Sequence, residues 1–196
     1  MPAVDCHLVK RALTGEASEC GDTGVIVKDG ETCFIALVDV LGHGPEAAVV
    51  AAQAEAFLLE NRRENPADLM RELHLHLKGS RGAVAFLGLL DLPTGEFRCC
   101  GIGNISAKVF GTEDPRRLLS KDGVVGYIMS TPREQTLRLL PRDIVMLCSD
   151  GLRDHFEVLE HPGLLRGSAE AVAGNMLSQF SKGDDDASCL VMRYLK

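Results

Sequence analysis

Asp39-Val40-Leu41-Gly42-His43-Gly44-Pro45 is the stretch that decides how this 196-residue chain folds. The run Thr32 to Val40, apolar and rich in β-branched and aromatic residues, predicts a strand whose end carries Asp39. After it come Glu46 to Leu59, rich in alanine and leucine, a pattern that predicts a helix with Pro45 in its first turn. Gly42 and Gly44 bracket His43, and two glycines permit the tight, partly left-handed turn that converts strand into helix. Such a turn lets the Asp39 carboxylate and the backbone carbonyl beside it, that of Val40, reach one ion together.

Three further acidic motifs flank apolar runs: Gly21-Asp22, Ser149-Asp150-Gly151 and Asp184-Asp185-Asp186. Each is expected to put an aspartate at the end of a strand. Gathering those ends at one edge of a fold would crowd several anions, a cost met by divalent cations or by raised pKa values. Oxygen-only ligands suit Mg²⁺ or Mn²⁺ rather than zinc.

The length fits one domain spanning 1–196, able to bury about 70% of its unfolded surface. A formal charge of −7 argues against nucleic acid and against an anionic membrane surface, and the absence of Trp removes the best stacking platform. No run approaches the ~18 apolar residues of a membrane-spanning helix, and Met1 to Cys6 lack the layout of a signal peptide. A cytoplasmic protein is expected. The seven cysteines are odd in number and show no CxxC spacing. Cys6, Cys33, Cys100, Cys148 and Cys189 sit in apolar runs, where a reduced thiol acts as a small hydrophobe.

Elsewhere, strands are expected at Val4 to Leu13, Gly24 to Lys28, Ala83 to Leu90, Phe97 to Gly101, Ser106 to Phe110, Gln135 to Leu140, Asp143 to Cys148 and Ser188 to Tyr194. A second helix starts at Asn65-Pro66, with Leu69, Leu73, His76 and Leu77 on one face, and a third spans Ser168 to Phe180. Blocks of strands separated by a pair of helices indicate antiparallel sheets in a layered α+β domain.

In this order the motifs resemble those of the PPM-type metal-dependent serine/threonine protein phosphatases, in the bacterial branch that includes SpoIIE and RsbU. The likeness rests on Gly21-Asp22, the Asp39 to Gly44 turn, Gly101-Ile102-Gly103-Asn104, Ser149-Asp150-Gly151 and Asp185-Asp186-Ala187-Ser188, and covers nearly the whole chain. By length the chain is most similar to the stressosome phosphatases of that branch. The resemblance implies an α-β-β-α sandwich, the minimal PPM fold, with two Mn²⁺ or Mg²⁺ ions at one end. It implies that Asp39 bridges both ions, that Val40 offers its carbonyl, that Asp150 and Asp185 complete a site, and that Asp22 holds a metal-bound water. Two such ions can bring a bridging water toward neutral pKa and clamp a phosphoryl group. His43 could relay a proton or simply stabilise the turn. The implied substrates are phosphorylated STAS-domain regulatory proteins of a stress-signalling complex, with a phosphatase for an anti-sigma-factor antagonist as an alternative. A monomer without its own sensory segment is expected, controlled by partners or abundance. Val40 stands where the wider family commonly has glycine and Ser188 where threonine is frequent. No arginine lies just before Asp22, where the wider family often uses one for phosphate, and Arg11 is distant in sequence.

Other chemistries fit less well. Cys148 and Arg153 are separated by four residues, one short of a cysteine-phosphatase loop. Asp184 to Ser188 resembles the opening of an aspartyl phosphotransferase, but eight residues follow it, where a long α/β domain is needed. His74 and His76 are two apart, on different faces of a helix, and make no i, i+4 metal pair. Asn61-Arg62-Arg63-Glu64 and Asp114-Pro115-Arg116-Arg117 read as solvated charge. A different class of function also fits the fold: a catalytically silent module that binds a partner and keeps its acids for structure.

Overall fold

The computed structural model describes residues 3–14, 16–61, 65–111, 115–153, 161 and 163–196. Arg62, Arg63, Glu64 and Asp114, part of the two charged stretches, lie outside the described residues. The chain runs through β1 (Val4–Arg11), β2 (Asp22–Asp29), β3 (Thr32–Val40), α1 (Pro45–Glu60), α2 (Pro66–His76), β4 (Ala83–Asp91), β5 (Glu96–Ile102), β6 (Ser106–Phe110), β7 (Arg116–Arg117), β8 (Ser120–Lys121), β9 (Gln135–Arg138), β10 (Ile144–Cys148), α3 (Ala169–Phe180) and β11 (Ala187–Tyr194). One sheet has the order β1-β11-β10-β6-β7. The other has the order β2-β3-β4-β5-β8, with β9 also paired to β5.

Side-chain alternation along β3 explains the layering. Cys33, Ile35 and Leu37 point into a core shared with Val145, Leu147, Leu190 and Met192 of the opposite sheet. Phe34, Ala36 and Val38 point the other way, onto Ala47, Ala54 and Leu58 of α1 and Leu69 and Leu73 of α2. The outer face of the first sheet is covered likewise by Val172, Ala173, Met176 and Phe180 of α3. The result is an α-β-β-α sandwich. With both faces of each sheet covered, the central strands are apolar throughout instead of alternating with polar residues.

The helices begin where local chemistry dictates. Asn65 accepts from the N–H groups of Ala67 (2.8 Å) and Asp68 (3.1 Å), and Ser168 accepts from Ala171 N (3.2 Å). Leu69, Leu73 and Leu77 form the buried stripe of α2, whereas His76 flanks it, exposed, and stacks on Phe57 with ring centroids 4.5 Å apart. His74 accepts at Nδ1 from Gly126 N (3.0 Å), a structural bond.

Some expectations need correction. β2 opens at Asp22, so this acid begins a strand rather than ending one. The second sheet is antiparallel except where β8 runs parallel to β5 over two residue pairs. Arg116 and Arg117 are exposed, as a reading of solvated charge expects, but they also form the edge strand β7, and Arg116 approaches Asp143 at 3.9 Å. Two-residue strands leave too short a pattern to be seen in sequence.

Candidate active site

At one end of the sandwich, Asp22 and Asp39 are directly opposed partners in the β2–β3 ladder. Opposed residues in an antiparallel pair point to the same face, with Cα atoms about 4.5–5.5 Å apart. That face is the gap between the sheets, since Asp39 continues the inward series of Ile35 and Leu37. Asp22 is buried, and its Oδ2 accepts from Ser149 Oγ at 2.6 Å across the gap. Ser149 Oγ in turn accepts from Ser188 N at 2.9 Å, tying the end of β10 to the start of β11. Ser188 Oγ is buried with no partner at hydrogen-bonding geometry, and still favours the charged form of Asp22.

The other acids arrive on loops. Asp150 follows β10 by two residues, is exposed, and accepts from Asn104 Nδ2 at 2.9 Å. Asp185 precedes β11 and is partly buried. The Val40 side chain packs into the core beneath α1 and α2, so it presents only backbone to the cluster. His43 is exposed in the turn. Gly42 and Gly44 adopt φ of +81° and +82°, the left-handed conformation the turn requires.

Asp186, beside Asp185, does something different. Its Oδ2 accepts from Gly21 N and its Oδ1 from Leu13 N, both at 2.6 Å. This carboxylate fastens the strand-leading segments to one another. The crowding leaves room for nothing larger at Gly151, where a β-carbon would stand 1.9 Å from the Asp186 carbonyl oxygen. The glycine of the Ser149-Asp150-Gly151 motif is therefore a packing requirement.

Electrostatics binds the acids into one unit. Burial pushes Asp39 up to about 9, and Asp22, Asp150 and Asp185 add to the rise, against a backbone hydrogen bond from Asp150. Burial also pushes Asp22 up to about 6, opposed by the Ser149 and Ser188 hydroxyls and reinforced by Asp186 and Asp185. Among the described residues, no three His, Cys, Asp or Glu side chains are drawn together as a ready-made cation cage. Like charges repel at this spacing, and Asp150 is bonded to Asn104. The donor set is all oxygen, and burial disfavours the charged forms of Asp22 and Asp39, which fits a hard divalent cation.

The cysteine alternative finds no support in the geometry. Cys148 is buried with its Sγ 3.8 Å from that of Cys189, whose thiol burial and the Cys148 contact push well up. A thiol enclosed in the core is out of reach of a substrate. All seven cysteines are free.

A family model for stage II sporulation protein E, SpoIIE, matches residues 29–195. The chain belongs to the SpoIIE family. Its fold is that of the PPM phosphatases of this kind. A solved structure from work on the bacterial stressosome, a modular system adapted to control secondary messenger signalling, is 27% identical, with TM-score 0.88 over 97% of this chain and 99% of that one. RsbX in complex with magnesium matches with TM-score 0.84 at 19% identity, over 97% of this chain and 94% of its own. The catalytic domain of the serine/threonine phosphatase PstP, in complex with two manganese ions, matches with TM-score 0.73 at 13% identity, over 98% and 99%. Among the described residues, no helix of this SpoIIE-family chain is long and apolar enough to cross a membrane.

Reading the sequence did not find the roles of Ser149, Asn104 and Asp186. Each lies inside or next to a motif, but a hydroxyl or amide that orients an acid looks like any other polar residue until the fold brings the pair together. Lys10 and Arg81 were missed as well. Lys10 Nζ donates to the Asp22 carbonyl at 3.2 Å, and Arg81 lies against Gly42 of the turn. Arg11 donates to Ser181 Oγ.

Proposed function

We propose that the protein is a Mn²⁺- or Mg²⁺-dependent phosphatase that hydrolyses phosphoserine or phosphothreonine on a regulatory protein. The observation that carries this reading is the opposed pair Asp22 and Asp39 at one end of a PPM-type sandwich, both pushed up by burial first and, at Asp39, also by Asp22, Asp150 and Asp185. Asp39, Asp150 and Asp185, with the Val40 carbonyl, would hold two ions, and Asp22 would hold a coordinated water. When bound, such ions supply an activated water and neutralise charge developing on the phosphoryl oxygens. The chain's own contribution is preorganisation: Ser149 Oγ–H fixes Asp22 Oδ2, Asn104 Nδ2 fixes Asp150 Oδ2, and the Gly42 to Gly44 turn fixes Asp39. His43, exposed in that turn, would pass a proton to a leaving serine or threonine oxygen.

The substrates proposed are phosphorylated STAS-domain proteins of a stress-signalling complex, in keeping with the likeness to RsbX and to the stressosome structure. The protein would act as a cytoplasmic monomer.

The test is hydrolysis of p-nitrophenyl phosphate and of phosphorylated STAS-domain proteins, followed by mass spectrometry of the protein substrate. Activity should require Mn²⁺ or Mg²⁺ and stop with a chelator. Full turnover after exhaustive chelation would sink the metal-dependent reading. No turnover of any phosphoprotein with metal present would leave a silent binding module.

A further inference from the structure

Arg81 lies in the segment between α2 and β4, and its guanidinium covers the backbone of Gly42. A β-carbon at Gly42 would stand 3.3 Å from Nη2, 3.4 Å from Cζ and 3.6 Å from Nη1. The main chain next to Arg81 is fixed. Leu41 N donates to the Gly82 carbonyl at 3.0 Å, Gly82 N donates to Ser80 Oγ at 3.1 Å, and Ala83 pairs with Val125. The root of this side chain is thus bound to the same turn that carries Asp39.

The carboxylate partner of Arg81 is Glu46, in the first turn of α1, at 3.8 Å. Both side chains are exposed, at 36% for Arg81 and 88% for Glu46. One long contact cannot occupy five N–H donors arranged as a fork, a geometry that suits a bidentate anion. The two cations at the end of β1 are committed elsewhere, Lys10 to the Asp22 carbonyl and Arg11 to Ser181.

We propose that Arg81 binds the phosphoryl group of the substrate, and the phosphate released, at the lip of the carboxylate cluster. The inference rests on the phosphatase reading above. A phosphate dianion approaching clustered aspartates meets repulsion, and a guanidinium bound to the rim of the turn offsets it while fixing the orientation of the phosphoryl oxygens. Glu46 competes for the same guanidinium.

The probe is inorganic phosphate, titrated into the 196-residue chain with Mg²⁺ and followed by ³¹P line broadening, alongside steady-state hydrolysis of p-nitrophenyl phosphate. Arg81→Ala should weaken phosphate binding about tenfold or more and raise KM by a similar factor, with melting temperature unchanged. Arg81→Lys should recover part of the binding, because it keeps the charge and loses the fork. Glu46→Gln should tighten phosphate binding by about two- to threefold. Phosphate binding unchanged in Arg81→Ala would overturn the proposal. So would equal melting losses in Arg81→Ala and Glu46→Gln at constant phosphate affinity, since that marks a tie between the loop and α1. If the wild type binds phosphate through Arg81 but hydrolyses no ester, the phosphatase reading fails and this assignment stands. If it hydrolyses esters and Arg81→Ala binds phosphate as well as wild type, this assignment fails alone.

Discussion

Asp39 and Asp186 are both acids beside tight turns, yet their surroundings give them opposite tasks. Asp39 is half-buried among like charges and bears a raised pKa, so its charge is a burden that a cation would relieve. Replacing it with Asn keeps the volume and removes that charge. Turnover of p-nitrophenyl phosphate with Mn²⁺ should fall at least about 10³-fold, equivalent to roughly 4 kcal/mol of transition-state stabilisation. Melting in chelator should hold or rise slightly, and the gain on adding Mn²⁺ should shrink. An unfolded variant whose residual folded fraction turns over normally would make Asp39 a turn residue only. Asp186 accepts two short backbone hydrogen bonds, from Leu13 and Gly21, and that is structural work. Asp186→Ala leaves both N–H groups without their acceptor and should cost about 2–4 kcal/mol in denaturant unfolding. A loss below about 0.5 kcal/mol would show that water replaces the carboxylate at no cost.

At the scale of elements, the strands that build the core were legible because most are predominantly apolar runs closed by a turn signal. Thr32–Val40 matches the reading of its stretch, and so does Ser106–Phe110. The boundaries that moved did so where a polar residue joined a ladder, as Asp22 joins β2 opposite Asp39. Hydrophobic pattern carries no signal for such a residue. The Pro141-Arg142-Asp143 turn was legible too, but its strain was not: Arg142 has φ of 78°, the described non-glycine residue in the left-handed region. That conformation costs a side chain about 1–2 kcal/mol, against about 0.4–1 kcal/mol of extra unfolded-state entropy for glycine. Arg142→Gly retains the N–H that donates to the Tyr194 carbonyl at 2.7 Å, so it should raise the melting temperature by about 1–4 °C. A lower melting temperature would mean that the exposed Arg142 side chain contributes more than its backbone strain removes.

Across the whole molecule, the site is assembled from both sheets, and this explains why only part of it could be read in sequence. Asp22 and Asp39 come from β2 and β3, Asp150 and Ser149 follow β10, and Asp185 leads into β11. The acids stand out because carboxylates beside apolar strands are anomalous. Their orienting partners Ser149 and Asn104, and the cation Arg81, become visible only when the sheets face each other. The same assembly sets how stability depends on pH. Asp22 and Asp39 are pushed up to about 6 and about 9 from an ordinary 3.8, so across that interval the folded protein binds more protons than the unfolded chain. Stability in chelator should therefore be fullest below about pH 4, as far as these two groups set it, and fall as pH rises toward 9. Mn²⁺ competes with those protons, so the stabilisation it confers should grow over the same interval. Each kcal/mol corresponds to about 2–4 °C in a domain of this size, within reach of melting curves collected from pH 5 to 8.5 with chelator and with Mn²⁺. Parallel curves would mean that the acids do not interact and that the crowding of these four carboxylates is not what draws a cation. Curves that diverge in the wild type and run parallel in Asp39→Asn would assign the coupling to the pair at the end of β2 and β3.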